Sequence, residues 1–154
     1  MTTKKTQSSN SSQPKKVASS SKSKAGSPLG HGVGRRKSAI ARVWLRRGNG
    51  KIAVNGREMT SYFDTTFNQS KVDFPLKALS LDSNYTVQVN VKGGGVNAQA
   101  DAVKLGIARA LVSIDESIRK NLRKFRLLTV DPRVKERKKF GQRGARAKFQ
   151  FTKR

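Results

Sequence analysis

The chain has 154 residues, which suits one domain of modest size with flanking tails. Its 34 Lys and Arg residues against 9 Asp and Glu give a formal net charge of +25, which predicts a polyanionic partner such as RNA, DNA or an anionic membrane. Cysteine is absent, which excludes a disulfide framework and the thiolate ligands of zinc ribbons. The sequence contains no run of about 18 apolar residues and no apolar leader, so we expect neither a transmembrane helix nor a secretory signal.

Residues 1–28 predict a disordered tail, because they are rich in Ser, Lys and Thr and contain no aromatic or acidic residue. Such a segment cannot bury enough apolar surface to offset its ordering entropy. A transit peptide is the alternative, since transit peptides are also rich in Ser and poor in acids. Their usual Arg content and amphipathic periodicity are missing here, which favours a solvated tail.

Residues 29–131 contain the predicted folded domain. Its first strand is predicted by strict alternation between a small apolar set and a larger, more basic set. The two sets are Ala39, Ala41, Val43 and Leu45 against Ile40, Arg42, Trp44 and Arg46. The glycines of Gly48-Asn49-Gly50 then predict a hairpin turn with residues 51–54 returning as the paired strand, and Asn55-Gly56 predicts a second turn.

Beyond these turns, a short helix is expected to start over residues 61–64 and another to begin at Phe74-Pro75-Leu76. The clearest strand spans residues 84–92, where four apolar side chains alternate with polar ones. The apolar set is Tyr85, Val87, Val89 and Val91. Gly93-Gly94-Gly95 ends this strand and leaves two interpretations open: a tight strand-to-helix turn, or a turn whose bare backbone approaches an RNA phosphate.

A helix is predicted beyond these glycines from helical apolar spacing and a high alanine content. Its apolar stripe is Val103, Ile107, Leu111 and Ile114. Gly106 within it costs about 1 kcal/mol relative to Ala, which predicts a close approach of this helix to the sheet. A second helix is predicted over residues 116–125, with Asp115 as its N-cap. Its apolar stripe is Ile118, Leu122 and Phe125.

Residues 132–154 predict an extended basic tail that orders on a partner. Ten of the 22 residues from Arg133 onwards are Lys or Arg, and Glu136 is the only acid. Three phenylalanines lie too far apart to form one helical stripe, and two glycines weaken any helix further. Fully stretched, the tail reaches roughly 70 Å.

No constellation of residues suggests catalysis. His31, the single histidine, has no Cys or second His with which to bind a metal, and we interpret it as a solvated loop residue. The P-loop pattern fails because Lys37 is not preceded by Gly, and the dinucleotide-binding pattern fails because residue 98 is Ala. We therefore expect no enzyme, no metal site and no cofactor.

Phosphate contact is the predicted role of the basic residues on and before the first strand, because few acids are available to pair with them. These residues are Arg35, Arg36, Lys37, Arg42 and Arg46. Trp44, on the outer face in the strand pattern, either stacks on a base or packs under a helix, the commoner role for such a residue.

Together these motifs resemble the ninth protein of the small ribosomal subunit, in its bacterial-type form, over residues 30–154. The similar segments are Gly34-Arg35-Arg36-Lys37-Ser38-Ala39, Ala41-Arg42-Val43, Gly48-Asn49-Gly50-Lys51-Ile52, Val54-Asn55-Gly56-Arg57, Gly93-Gly94-Gly95-Val96-Asn97-Ala98-Gln99-Ala100, Gly106-Ile107-Ala108-Arg109-Ala110-Leu111, Asp131-Pro132-Arg133, Glu136-Arg137-Lys138-Lys139, Ala145-Arg146 and Phe151-Thr152-Lys153-Arg154. The segment that starts at Gly93 is the most specific of them.

The resemblance implies an α+β fold in which a single domain, like the second domain of ribosomal protein five, packs its sheet with helices. It implies binding to rRNA in the head of the small subunit, beside neighbouring small-subunit proteins. It also implies that Lys153 and Arg154 approach the anticodon stem-loop of P-site tRNA. Thr152 stands where the family often has Ser, and no family role transfers to residues 1–28. The further rRNA-binding residues expected are Gly93, Gly94, Gly95, Arg133, Arg137, Lys138, Lys139, Arg143, Arg146 and Lys148.

Three rival functions are weaker. A DNA-binding architectural protein needs a recognition helix or intercalating wedges, and neither is evident. An RNA-processing enzyme lacks its catalytic residues, and fold alone grants no activity. A membrane-active protein needs an exposed basic amphipathic helix, and residues 116–125 are too few. The expected location is the cytoplasmic ribosome, with an organellar ribosome as the alternative.

Overall fold

The computed structural model describes residues 27–153, which form one five-stranded mixed sheet packed with helices. In chain order the elements are β1 (Gly30–Arg36), β2 (Ala39–Arg47), β3 (Ile52–Val54), β4 (Arg57–Glu58), α1 (Met59–Tyr62), α2 (Thr66–Lys77), β5 (Tyr85–Lys92), α3 (Val96–Ile114), a 3₁₀ turn (Glu116–Ile118) and α4 (Arg119–Lys124). The strands lie in the order β1-β2-β5-β3-β4. The predicted α+β class is confirmed. The predicted disordered tail over residues 1–28 lies, except for its last two residues, outside the described residues.

The two strands predicted from alternation are confirmed. In β2, the set Ala39, Ala41, Val43 and Leu45 is fully buried, whereas Ile40 and Arg42 are exposed. In β5, Val87, Val89 and Val91 are buried, and the polar residues between them are exposed. Helix α3 lies directly on β1, β2 and β5 and covers the buried set, while α2 packs against α3.

The predicted hairpin between β2 and residues 51–54 is wrong, because β5 lies between the two strands. β2 pairs antiparallel with one edge of β5, and β3 pairs parallel with the other edge. The Gly48-Asn49-Gly50 segment carries the chain across the start of β5, where Gly48 N–H donates to the Asn84 carbonyl at 3.2 Å. The second turn is confirmed: Asn55 and Gly56 both have positive φ, as a two-residue loop between β3 and β4 requires.

The helix predictions need corrections of position. Helix α1 covers Met59–Tyr62 rather than starting at residue 61, and Phe74-Pro75-Leu76 lies in the last turns of α2 rather than at its start. The helix predicted over residues 116–125 begins as the 3₁₀ turn and continues as α4, with the Asp115 carboxylate accepting from Ser117 N–H at 2.9 Å. The end of its predicted stripe, Phe125, is 49% exposed and meets the Phe74 ring edge-on.

Strand β1 was missed, because its glycines read as a loop. They alternate on the face toward α3, where Gly30, Gly32 and Gly34 are buried. A Cβ on Gly34 would lie 2.6 Å from Gly106 N, and one on Gly106 would lie 2.6 Å from Val43 Cγ2. These are overlaps, so strand and helix meet here without side chains between them. The predicted close approach at Gly106 is confirmed, and glycines of β1 supply its other half.

Gly34→Ala should destabilise the protein, because the new methyl group meets helix backbone that cannot move aside. Overpacking of this kind costs about 1–3 kcal/mol, which urea unfolding followed by circular dichroism would measure. Gly144→Ala is the matched control: its Cβ would have only an ordinary contact, at 3.7 Å from Ala147 Cβ, and should change the free energy of unfolding by less than about 0.5 kcal/mol. Equal stabilities of the two variants would contradict the close approach.

Candidate nucleic-acid interface

The face of the sheet opposite α3 is here called the open face. Strand register aligns its side chains in rows, with His31, Trp44 and Gln88 in one row and Arg35, Ile40 and Lys92 in another. Its full membership in the three longest strands is His31, Val33, Arg35, Ile40, Arg42, Trp44, Arg46, Thr86, Gln88, Asn90 and Lys92. Ile40 is 42% exposed and Trp44 is only half-buried. Trp44 therefore does not pack under a helix of the described residues.

The open face carries cations without partner acids. Among residues 27–153, no ion pair involves Arg35, Arg42, Arg46 or Lys92. Register places one acid on this face, Glu58, at the far edge strand β4. The Nε of Arg46 is buried and has no hydrogen-bond partner among the described residues. The face is thus polar and basic, with an aromatic ring at its middle.

The glycine turn at Gly93–Gly95 lies at one end of the open face. Gly93 and Gly94 have φ of 72° and 69°, a conformation that favours glycine, and Gly95 is the N-cap of the 19-residue α3. A Cβ on Gly93 would lie 2.6 Å from Ser38 O, so this turn packs against the β1–β2 turn. The structure therefore brings Lys37 and Lys92 beside the exposed backbone of the glycine turn.

Side chains that sequence reasoning left without a role hold this glycine turn. Gln99 Nε2 donates to the Gly93 carbonyl at 3.1 Å, and Tyr62 O–H donates to Gln99 Oε1 at 2.8 Å. Asn68, buried in α2, donates from Nδ2 to Asn97 Oδ1 at 2.8 Å. These contacts tie the turn to α1 and α2. Lys92 was also missed, although its outward position in the alternation of β5 was a usable signal.

Arg36 does not lie on the open face, and the premise that few acids are available does not hold for it. Its Nη2 lies 3.1 Å from Asp131 Oδ2, and its Nε lies 3.9 Å from Asp101 Oδ2. Its Nη1 donates to the carbonyls of Asp131 at 3.1 Å and Arg133 at 2.7 Å. One guanidinium therefore joins the end of β1, helix α3 and the start of the C-terminal tail. We call this set of contacts the tail clamp.

Asp131 is the charged centre of the tail clamp. Arg133 holds the pKa of Asp131 well below its usual value of 3.8, first through its guanidinium hydrogen bonds and then through its backbone N–H, and Arg36 adds a smaller electrostatic attraction. A carboxylate with a lowered pKa stabilises the folded state above its ordinary pKa, and this contribution disappears only as pH falls through the lowered value. The Asp131 carboxylate therefore keeps its negative charge throughout the neutral and mildly acidic range.

The C-terminal tail contains no helix or strand over residues 132–153, and most of its side chains are exposed. Arg146 pairs with Glu136, Nε to Oε2 at 3.0 Å, and Arg133 pairs with Asp131 at 2.8 Å. The other predicted basic contacts are exposed and in no ion pair among the described residues; they are Arg137, Lys138, Lys139, Arg143, Lys148 and Lys153. Arg154 lies outside the described residues.

Nothing else in the described part of the chain adds a chemical centre. No group of three or more His, Asp or Glu side chains within residues 27–153 has the arrangement of a metal site. His31 is exposed as expected, but it lies on β1 rather than in a loop, 5.5 Å from the Trp44 ring between centroids. Among the same residues, no helix has both the length and the apolar character that spanning a bilayer requires.

Comparisons with known proteins agree with one another. A family model described as ribosomal protein S9/S16 matches residues 34–154. The curated small ribosomal subunit protein uS9 of Treponema pallidum (strain Nichols) is 53% identical over 126 residues, which is 82% of this chain and 98% of that protein. Proteins of the same name from Chlorobaculum tepidum and Cytophaga hutchinsonii are 51% and 49% identical over 122 residues, 79% of this chain and 95% of each relative.

Arg36→Gln should free the start of the tail, because it removes the charge that joins Asp101 and Asp131. The absence of cysteine allows spin labels to be placed at Ser70→Cys in α2 and Val134→Cys in the tail without background. We expect a narrow distance distribution in the otherwise unaltered protein, the same at about pH 8 and about pH 5, and a broad one in Arg36→Gln.

Arg35→Gln is the matched control for the tail clamp, because Arg35 is the preceding residue on β1 and points to the open face. It should leave the distance distribution narrow. Equally narrow distributions in both variants would show that the contacts of Arg36 do not set the direction of the tail.

Proposed function

The chain belongs to the ribosomal protein S9/S16 family, a family of structural, non-enzymatic ribosomal proteins, and from that premise we propose that it binds rRNA of the small subunit through its open face and glycine turn and reaches P-site tRNA with its C-terminal tail. The observation that carries the proposal is the set of cations on the open face that form no ion pair with an acid among residues 27–153. The relatives named above are small-subunit proteins, and we propose the head of that subunit, in cytoplasmic ribosomes, as the location.

Phosphate contact explains this charge arrangement better than a solvated basic surface does. Lys71, Lys77 and Arg119, on the helical side, each pair with a carboxylate within 3.2 Å. Cations left unpaired on one side of a protein this basic repel one another until a polyanion neutralises them. Phosphates do so with release of counterions, and arginine adds bidentate hydrogen bonds. We therefore propose Arg35, Lys37, Arg42, Arg46 and Lys92 as the phosphate contacts of the domain.

The glycine turn is proposed to bring bare backbone close to RNA. Gly93 and Gly94 are exposed, and the turn precedes a long helix whose first N–H groups favour an anion. The adjacent cations at Lys37 and Lys92 add charge of the right sign. Both earlier interpretations of these glycines thus apply together, since a tight turn is also what exposes the backbone.

The C-terminal tail is proposed to act beyond the reach of the domain. Its basic residues recur along most of its length and lie exposed on a chain without helix or strand, so they are available for phosphate contact over a long path. Lys153 and Arg154, at the end, would steady the tRNA backbone electrostatically without reading its sequence. In this proposal the tail clamp fixes where that path begins.

Neutralising the open face should lower both the affinity for small-subunit rRNA and its salt dependence. For Arg35→Gln, Lys37→Gln and Arg42→Gln combined, the slope of log K against log salt should flatten by up to about 0.9 per lost contact, or about 2.7 for three. Filter binding at several salt concentrations measures it. The control combines Lys77→Gln and Arg119→Gln, whose charges are already paired with acids. An unchanged slope in the open-face variant would remove these residues from the interface.

Removal of Lys153 and Arg154 should leave subunit assembly intact and weaken retention of P-site tRNA. Loss of one charge-assisted contact of about 1.5 kcal/mol corresponds to roughly tenfold faster dissociation. Purified ribosomes that carry the truncated protein and labelled tRNA provide the measurement. Lys153→Arg, which keeps the charge, should retain tRNA normally. Unaltered dissociation from the truncated particles would refute the role of the tail.

A further inference from the structure

A concavity in the open face lies between Trp44 and the turn that follows β3. Its volume is about 420 Å³, and its lining includes Trp44, Arg46, Asn55, Thr86, Gln88 and Asn90. We propose that this cleft receives a single unpaired nucleotide of rRNA, with its base stacked on the Trp44 ring and its phosphates held by the flanking arginines. The inference rests on the proposed function, and it adds a base-binding site to what is otherwise a set of phosphate contacts.

The position of Trp44 favours a flat aromatic ligand. Register places His31 on one side of it, on β1, and Gln88 on the other, on β5. The His31 ring lies 5.5 Å from the Trp44 ring at a tilt of 43°, and the cleft opens on the Gln88 side. One side of the indole ring is thus next to His31, and the other side borders the cleft. Stacking on exposed aromatic side chains is the common way in which proteins hold unpaired bases.

The floor of the cleft carries groups that match the edge of a base. Gln88 and Asn90 are exposed on β5, two residues apart, so both amides point into the open face. Each amide offers donors and an acceptor, which is what hydrogen bonding to a base edge requires. Asn55 is different, because both ends of its amide already bond the Val91 backbone, at 3.1 and 2.9 Å, and it acts as a fixed wall.

The charges around Trp44 indicate a nucleotide rather than a neutral ring. Arg42 and Arg46 stand two residues before and after Trp44 on β2, so all three project from the same face. Neither arginine forms an ion pair among the described residues, and Arg46 Nε is buried without a hydrogen-bond partner there. Buried donors in folded proteins almost always have partners, so this arginine is expected to rearrange toward an incoming acceptor.

A groove of larger volume among the described residues does not offer the same chemistry. It lies between the end of α3 and α4 and has a volume of about 530 Å³. Arg109 there donates to the Val33 carbonyl at 2.7 Å, and Arg119 lies 2.9 Å from the Glu116 carboxylate. No aromatic side chain lines it. Two of its three arginines are therefore already engaged, whereas neither Arg42 nor Arg46 beside Trp44 forms an ion pair within residues 27–153.

Size and shape also favour one nucleotide over a duplex. The cleft volume is near the lower end of the range for small-ligand sites, about 300–1,000 Å³. Paired bases in an RNA helix are buried in the stack, and proteins recognise such helices mainly through backbone and shape. A cleft with a stacking ring and two amides is useful only for a base that has left the stack.

Trp44 is the only tryptophan in the chain, so its fluorescence reports on this cleft alone. Titration of the full-length protein with small-subunit rRNA should quench that emission as the base stacks. Trp44→Leu, which keeps the apolar bulk, should bind rRNA about 5- to 150-fold more weakly with an unchanged salt slope, and Trp44→Phe should restore most of the affinity. Phe67→Leu, at a 65% exposed aromatic in α2, is the control and should bind normally.

If Trp44→Leu folds poorly, chemical probing of the bound rRNA still tests the base-binding site, because it uses the unaltered protein. In complexes with the unaltered protein, and with Trp44→Phe, one unpaired base should be protected from dimethyl sulfate, and Gln88→Ala should weaken that protection. Binding of rRNA without quenching and without such a base would overturn the inference while leaving the proposed function standing. Quenching of Trp44 seen only in the complete subunit would also overturn the inference, because it would indicate that a neighbouring protein rather than a base contacts this ring. Failure of the unaltered protein to bind rRNA would instead refute the proposed function itself.

Discussion

Helix α3 and strand β1 meet backbone to backbone, and the remaining architecture depends on that contact. At Gly34 and Gly106 no side chain separates the two elements, so the helix lies flat against one side of the sheet. Because the two layers approach so closely, many of the side chains buried between them are small, mainly alanines and valines. The same contact leaves the second face of the sheet without a helix among the described residues, and that face is where β2 and β5 present their polar side chains.

The few acids of the chain are arranged so that they leave this second face charged. Asp101 lies close to the side chains of Arg36, Lys71 and Lys104, and Asp131 pairs with Arg36 and Arg133. These acids neutralise cations at the helical side and at the start of the tail. A net charge of +25 opposes compaction, and neutralisation by these acids reduces the repulsion around the core. The remaining repulsion is concentrated on the open face, where a bound polyanion can relieve it. The fold therefore determines which cations are paired with acids and which are left for a partner.

Much of this fold could be predicted from the sequence where one periodicity dominates. β2, β5 and α3 each have an uninterrupted apolar pattern, and Asn55-Gly56 has the residues that positive φ demands. Prediction failed where the decisive information was not local. β1 shows glycine where a buried strand normally shows apolar side chains, because its partner is the backbone of α3. The pairing of β3 with β5 rather than β2 depends on a strand that comes about thirty residues later.

The roles of individual residues could likewise be predicted where a local pattern assigns their position, and not where a contact distant in sequence decides it. The outward cations of β2 were predictable, since alternation alone assigns their face, and Lys92 could have been found by the same reasoning. The role of Arg36 could not be predicted, because Arg35, Arg36 and Lys37 are adjacent and chemically alike in sequence, and only the pairing of β1 turns one of them toward Asp131.

The tail clamp also affects which region the end of the C-terminal tail can reach. A tail free to point in any direction dilutes its last residues over a wide volume, whereas one held at Asp131 and Arg133 starts from a fixed point at the end of β1. In the proposed function, RNA bound on the open face would therefore have a fixed position relative to the start of the tail, and the domain and the tail would act together rather than as two independent basic segments.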